Sequence, residues 1–123
     1  MAQVIPTPVP SDSSSADLRQ PALYLNRELS EKALQLLSLQ DFPRGIVAGV
    51  PPGTRVAAKF GEIVPERTDE DTQLHEFGIV YHPKRHYILG VMTRGRDFAK
   101  QVGIIREISR LVYAEVEADQ SIR

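Results

Sequence analysis

A single lysine, Lys59, lies in an otherwise apolar run of strand-like composition, and Gly61 follows it two positions later. An ammonium group inside a strand is costly unless it reaches water, a carboxylate or a ligand. A nearby glycine lets a ligand or another backbone approach the strand closely. This pair could therefore bind an anionic group of a ligand that lies along the strand. The alternative is a lysine on an edge strand, where its charge opposes edge-to-edge association.

Nucleophilic catalysis needs an activated side chain. One such arrangement can be looked for in the sequence by checking which residues precede each lysine. A hydrolase of the Ser-x-x-Lys type has its serine three residues before a lysine. Here the corresponding positions are occupied by Leu29, Val56, Tyr81 and Asp97. The Ser-x-x-Lys motif is therefore absent. The chain also has no cysteine, which excludes a thiolate nucleophile, a disulfide frame and a cysteine zinc site.

Two further groups of residues could bind a metal. His82 and His86 bracket a short turn and could reach one ion, but no third ligand is in view, so we interpret them as surface imidazoles. The acidic segment 69–71 lacks the glycine and the alternating oxygen ligands of an EF-hand loop, and we interpret it as a solvated loop. We predict no metal site and no cofactor.

Length and composition fit one small globular domain. The chain has 123 residues, 41% hydrophobic and 25% charged, with a net charge of −1. This charge gives no electrostatic reason to expect binding to nucleic acid or to an anionic membrane. No apolar run approaches the roughly 20 residues that a membrane-spanning helix needs. No signal peptide is visible at the N-terminus, and the compartment stays open.

The N-terminal part divides into a leader and a helix. Residues 1–22 contain alternating prolines and a serine run, which predict a flexible leader. We assign residues 23–118 to one domain and 119–123 to a tail. Asn26 is the expected N-cap of a helix that runs to about Ser38, because a residue before Pro43 resists helical angles.

Strand patterns follow, and then the period changes. Residues 56–61, 77–81 and 87–93 have β-type composition, and the last two segments flank a short turn. From Asp97 to Val116 apolar residues recur every three or four positions, which predicts a helix capped by Asp97. The expected fold class is α+β: a helix, a three-stranded antiparallel sheet in sequential order, and a C-terminal helix packed on the sheet.

These segments resemble, in order, part of a known enzyme fold. Residues 44–51 and the run Val56-Ala57-Ala58-Lys59-Phe60-Gly61-Glu62 resemble the approach to the Lys-Thr-Gly strand of penicillin-recognising serine hydrolases, in the class A β-lactamase-like branch. Residues 73–81 and 87–95 resemble the next two strands, and residues 97–116 resemble the C-terminal helix. The resemblance covers roughly residues 24–116 and implies a partial β-lactamase or transpeptidase fold.

The resemblance implies roles for five residues around the lysine. Lys59 would supply positive potential for the substrate carboxylate and support proton transfer at the nucleophile, and Gly61 would let the substrate lie along the strand. The backbone N–H of Glu62 would be an oxyanion-hole donor. Phe60 replaces the usual Thr or Ser, so a hydroxyl that helps to hold the substrate carboxylate is missing. His75 would lie near the mouth of the same cleft.

The implied function is that of a C-terminal segment of a serine hydrolase that acts on β-lactams or D-Ala-D-Ala-type peptides of peptidoglycan, inactive alone because the nucleophile is missing. Ser-Asp-Asn is also absent, and Tyr24-Leu25-Asn26, which spells the Tyr-x-Asn variant, is better explained by Asn26 as a helix cap. The family is usually exported, and an unpaired sheet edge would suit a partner chain.

Two other interpretations stay open. The first is a stand-alone, non-catalytic α+β module for binding or interaction. The second is a non-catalytic relative that binds peptidoglycan or a β-lactam without turnover. Lys59-Phe60-Gly61 and the ordered strands after it favour the hydrolase segment, because a generic module has no reason to keep them together.

Overall fold

The computed structural model describes residues 2–8, 26–39, 41–67 and 69–122. Its strands are β1 (Ala2–Pro8), β2 (Val56–Ile63), β3 (Thr72–Tyr81) and β4 (His86–Gly95), and its helices are α1 (Arg27–Leu37), α2 (Ile46–Gly49) and α3 (Phe98–Ala118). The strands form one antiparallel sheet in the order β1-β4-β3-β2. The predicted α+β class is therefore confirmed, and β2 lies at an edge of the sheet.

The first strand corrects the prediction of a flexible leader. We expected residues 1–22 to be flexible, but β1 pairs along β4, from Ala2 opposite Thr93 to Pro8 opposite Tyr87. Proline is compatible with an edge strand because its missing N–H can face away from the ladder. The two prolines of β1 are two residues apart, so their nitrogens face the same side of the strand. The rest of the predicted leader, residues 9–22, lies outside the described residues.

The three predicted strands are present in sequential order, and the sheet register brings β2, β3 and β4 together. The main difference lies at the start of β3, which begins at Thr72 rather than at residue 77. In this part of β3, the polar Gln73 and His75 alternate with the buried Leu74 and Glu76. A buried carboxylate interrupts the apolar alternation by which a half-buried strand is recognised.

The two long helices begin where their caps were predicted. Asn26 Oδ1 accepts a hydrogen bond from the Leu29 N–H at 2.8 Å, and Asp97 Oδ1 accepts one from the Lys100 N–H at 3.1 Å. Helix α3 packs on the sheet through Ile105, which is fully buried, as its apolar stripe predicted. No helix in the described part of the chain is long and apolar enough to cross a membrane.

Strand residues alternate between two faces of the sheet. The helix-side face, which faces α2 and α3, carries Phe60, Glu76 and Val91 in one cross-strand row. The opposite face, here called the open face, carries Lys59, Gly61, His75, Phe77 and Met92. Phe77 is 43% exposed and Met92 is 37% exposed, so this face presents apolar surface to solvent.

The prediction of a surface imidazole at His82 is wrong. His82 is fully buried: its Nδ1 accepts a hydrogen bond from the Lys84 N–H at 3.0 Å, and its Nε2 lies 2.8 Å from Glu117 Oε2. Its ring also contacts Tyr113, with 4.4 Å between centroids. The C-terminal end of α3 therefore covers the β3–β4 turn. His86 is exposed, as predicted, and its ring packs on Tyr81.

Candidate functional site

The outer backbone edge of β2 is unpaired around Phe60 and Glu62. Backbone groups in an antiparallel ladder alternate between facing the neighbouring strand and facing away. The Tyr81 N–H donates to the Arg55 carbonyl oxygen at 3.0 Å, so odd-numbered residues of β2 face β3. The N–H and C=O groups of Phe60 and Glu62 therefore face outward. Within the described residues, no other backbone group bonds to them there, and this stretch is called the open edge.

Lys59 lies beside this edge with its charge exposed to solvent. No carboxylate in the described part of the chain forms an ion pair with it. Its Nζ lies 5.7 Å from the centroid of the Phe60 ring. An ammonium group without a carboxylate partner, next to unpaired backbone donors, can attract the carboxylate of a ligand.

Gly61 and His75 are direct cross-strand partners on the open face. A Cβ built on Gly61 would meet no atom within 4 Å, so the surface beside Lys59 is free for a ligand. His75 is half-buried, and its Nε2 lies 3.2 Å from Gln73 Oε1. Its Nδ1 is buried and has no hydrogen-bond partner among the described residues. The structure thus brings Lys59, Gly61 and His75 to one face of the sheet.

The side chains of Phe60 and Glu62 lie on the other face from Lys59. The Phe60 ring stacks on Phe42, with 4.8 Å between centroids and 29° between planes, and packs against the core. The Glu62 side chain is exposed. Phe60 therefore contributes its backbone to the open edge, while its side chain anchors β2 to the preceding segment of the chain.

Sequence reasoning missed Glu76, the cross-strand neighbour of Phe60. This carboxyl is 1% exposed, and its Oε1 accepts a hydrogen bond from the Ile46 N–H at 2.7 Å. Burial raises the pKa of Glu76 from its ordinary value of 4.5 to about 7, while the hydrogen bond from Ile46 acts in the opposite direction. The signal in the sequence was the strand alternation itself, because Glu76 falls on the same face as Leu74 and Val80.

Phe77 was treated only as a strand residue, yet it lies directly opposite Lys59. Its ring covers its other cross-strand partner, Gly90, where a Cβ would overlap the ring. The ring is thus held flat against the sheet beside the lysine. An exposed aromatic side chain at this position offers an apolar contact to whatever binds Lys59.

Arg44 is a second exposed cation near β2. Its guanidinium carbon lies 5.2 Å from the ring centroid of Phe42 and 5.6 Å from that of Phe98. Both distances fall in the range of cation–π attraction. Since Phe42 stacks on Phe60, Arg44 and Lys59 lie at the two ends of one row of aromatic contacts.

The acidic loop before β3 is paired with arginines. Asp71 accepts ion pairs from Arg94 at 3.2 Å and Arg96 at 3.5 Å, and Arg96 also donates to the Asp69 carbonyl oxygen at 2.8 Å. Among the described residues, no group of three or more histidine and acidic side chains is arranged to hold a metal ion. These acidic residues attach the loop to the end of β4.

Comparison with known proteins identifies the family and the fold. The sequence model of the β-lactamase enzyme family matches residues 20–116. A class A β-lactamase from Bacteroides cellulosilyticus is 17% identical over 85% of this chain and 39% of that chain, with a TM-score of 0.72. A β-lactamase from Chitinophaga pinensis is 22% identical over 76% of this chain and 36% of that chain, with a TM-score of 0.68.

A third solved structure is a variant of PBP-A in an acyl-enzyme complex with penicillin G. It is 22% identical over 83% of this chain and 36% of that chain, with a TM-score of 0.64. No match was found among curated protein sequences. The chain thus spans less than two fifths of the length of these solved structures, and at such identities the likeness shows the fold. Since the family model matches most of the sequence, the chain belongs to the β-lactamase enzyme family.

Proposed function

We propose that this chain supplies the substrate-binding edge of a β-lactamase-like serine hydrolase. The substrate class is a β-lactam or a D-Ala-D-Ala-type peptide of peptidoglycan, each of which carries a carboxylate beside an amide. The observation that carries the proposal is the open edge of β2, where Lys59, which forms no ion pair among the described residues, lies beside the outward N–H of Glu62. The solved acyl-enzyme of PBP-A with penicillin G supports the choice of substrate class.

The open edge can bind such a substrate as an added strand. An extended amide placed along β2 would pair with the outward N–H and C=O groups of Phe60 and Glu62. Lys59 would attract the ligand carboxylate, and Gly61 leaves room for the approach. When a nucleophile attacks the amide carbonyl, the Glu62 N–H would stabilise the developing oxyanion.

The nucleophile would come from outside these 123 residues, because they contain no Ser-x-x-Lys motif. As a consequence, we expect the chain by itself to bind the substrate without being acylated. Incubation with a fluorescent penicillin followed by intact-mass measurement should show no covalent adduct. A penicilloyl adduct on any serine of this chain would contradict the proposal.

Binding can be measured at the site itself. Addition of D-Ala-D-Ala or benzylpenicillin should shift the amide signals of Gly61 and Glu62 in an NMR spectrum. Lys59→Ala should weaken this binding about 10- to 100-fold, the cost of losing one charge-assisted contact. The matched control is Lys32→Ala, which removes an exposed lysine on α1 that pairs with Glu28 at 3.5 Å. If the two variants bound D-Ala-D-Ala or benzylpenicillin with equal affinity, Lys59 would not be part of the binding site.

The second candidate is a non-catalytic module that binds a protein partner. The observation that favours it is the apolar surface of Phe77 and Met92 on the open face. A partner chain that covers this face or the open edge would not need Lys59. Absence of any shift at Gly61 and Glu62 with either small ligand, together with burial of Phe77 in a complex, would favour this candidate.

A further inference from the structure

We propose that Glu76 is a positioning residue that couples proton binding inside the domain to the conformation of the open edge of β2. The proposal deepens the proposed function and depends on it only for the use of the edge as a binding surface. Glu76 would touch no substrate, because it lies on the helix-side face. It would act through the residues packed between it and Lys59.

The Glu76 carboxyl occupies a slot made by the segment before α2. Its Oε1 accepts the Ile46 N–H at 2.7 Å, and a Cβ on Gly45 would overlap the same oxygen. Gly45 and Ile46 are both buried, so this contact is closed to solvent. The carboxyl therefore joins β3 to a segment that is 30 residues away in sequence.

The segment before α2 also contacts β2 at the open edge, through the ring of Phe42. A Cβ on Gly45 would also lie 2.9 Å from the Phe42 ring, so the slot and this ring are in contact. Phe42 is 4% exposed and stacks on Phe60, whose ring lies 5.7 Å from Lys59 Nζ. A shift of the slot thus passes through one aromatic stack to the backbone of the open edge.

The surroundings of Glu76 supply no compensating charge. Within the described residues it has no ion pair. Across the sheet it faces Phe60 and Val91. Of the charged and titratable groups on the elements around it, Lys59 and His75 lie on the open face, Arg44 contacts two phenylalanine rings, and Asp97 and Lys100 lie at the exposed start of α3. Glu62 and Tyr87 share the helix-side face with Glu76, but neither can carry a positive charge.

Burial in this slot favours the protonated carboxyl over the ionised one. A buried carboxylate without a cation is penalised by desolvation, which agrees with the pKa of about 7. As the pH rises through neutrality, the ionised group must gain water or a new donor. Either change opens the slot beneath Phe42 and moves the Phe60–Glu62 backbone.

The test is an NMR titration of the whole chain between pH 5 and 9 without ligand. The Glu76 carboxyl carbon should titrate near pH 7, and the Gly61 and Glu62 amide signals should shift with the same midpoint. Glu76→Gln retains an acceptor for the Ile46 N–H but cannot ionise, so the amide shifts at this midpoint should disappear. His75→Gln removes the imidazole opposite Gly61 and should leave them in place.

Two results would overturn the proposal: amide signals of the open edge that stay constant while Glu76 titrates, or amide shifts lost in His75→Gln. If Glu76→Gln does not fold, coincident midpoints in the His75→Gln chain decide the question. The titration involves no ligand, so its failure is separate from failure of the Lys59 binding experiment. If both hold, D-Ala-D-Ala should bind less tightly at pH 8 than at pH 6, and this difference should be absent in Glu76→Gln.

Discussion

Lys59 and Glu76 lie on neighbouring strands and on opposite faces of the sheet, since Glu76 pairs with Phe60, the residue after Lys59. Their side chains have different surroundings. The Lys59 ammonium is exposed and keeps its hydration, so it can remain unpaired at little cost to folding. The Glu76 carboxyl is buried against the core, where charge is costly. Lys59 is therefore accessible to a ligand, whereas the burial of Glu76 raises its pKa.

The raised pKa of Glu76 predicts a stability that falls as pH rises. The folded chain holds this proton up to about pH 7, whereas the unfolded chain releases it near 4.5. The folded state thus binds more protons between these values, and the free energy of unfolding should drop across pH 4.5–7 by about 1–3 kcal/mol. Urea unfolding at several pH values should show this slope, and Glu76→Gln should abolish it. A wild-type stability that rises through this window would contradict the assignment.

At the scale of the elements, side-chain contacts join the strands of the site to neighbouring parts of the chain, and these contacts cannot be identified from the sequence of one strand alone. Phe77 lies flat on Gly90 of the neighbouring strand, and Phe60 stacks on Phe42 of the preceding loop. The first contact packs β3 against β4 next to Lys59, and the second attaches β2 to the loop before α2.

The Phe77–Gly90 pair can be tested with two glycines of the same sheet. Gly90→Ala introduces a Cβ that overlaps the Phe77 ring and should cost about 1–3 kcal/mol of stability, the usual cost of overpacking. Gly61→Ala is the control: its Cβ meets no atom within 4 Å, so stability should hold or rise slightly. The double variant Phe77→Ala, Gly90→Ala should recover part of the loss in a denaturant series. Additive effects would mean that the ring does not depend on this glycine.

At the scale of the whole molecule, the sheet has two edges with different coverage. Strand β1 covers the edge of β4, and its two prolines have no N–H to donate to a further strand. The edge of β2 stays unpaired around Phe60 and Glu62 among the described residues. Among the described residues, the fold thus leaves backbone donors and acceptors of β2 available to an added strand.

Removal of β1 should expose a second edge. A chain that lacks residues 1–8 would present the whole of β4, including the core-facing Leu89 and Val91, as an unpaired strand. Such an edge pairs readily with other chains, so we expect concentration-dependent association in light scattering. The full chain at the same concentration is the control. An equally monodisperse and stable truncated chain would show that β1 does not protect this edge.

Local features were predictable because their causes act within a few residues. The caps at Asn26 and Asp97 need only a side-chain oxygen and an N–H three positions later. The apolar stripe of α3 and the alternation of β2 reflect periods of 3.6 and 2 residues. The order Lys59-Phe60-Gly61 and the strands after it carried the family resemblance, which the match over residues 20–116 confirms.

Tertiary structure alone decided the features that depend on contacts between distant residues. Composition predicts flexibility for β1, and only the edge of β4 makes it a strand. The turn sequence around His82 predicts a surface residue, but the C-terminal end of α3 packs over it and buries it. Glu76 accepts a hydrogen bond from Ile46, and Phe60 stacks on Phe42. Both contacts form only when the segment before β2 folds back on the sheet. The sequence by itself determined which residues form the strand of Lys59. The tertiary structure decided that Lys59 is exposed and that Glu76 on the next strand is buried, because burial depends on contacts between segments that are distant in sequence.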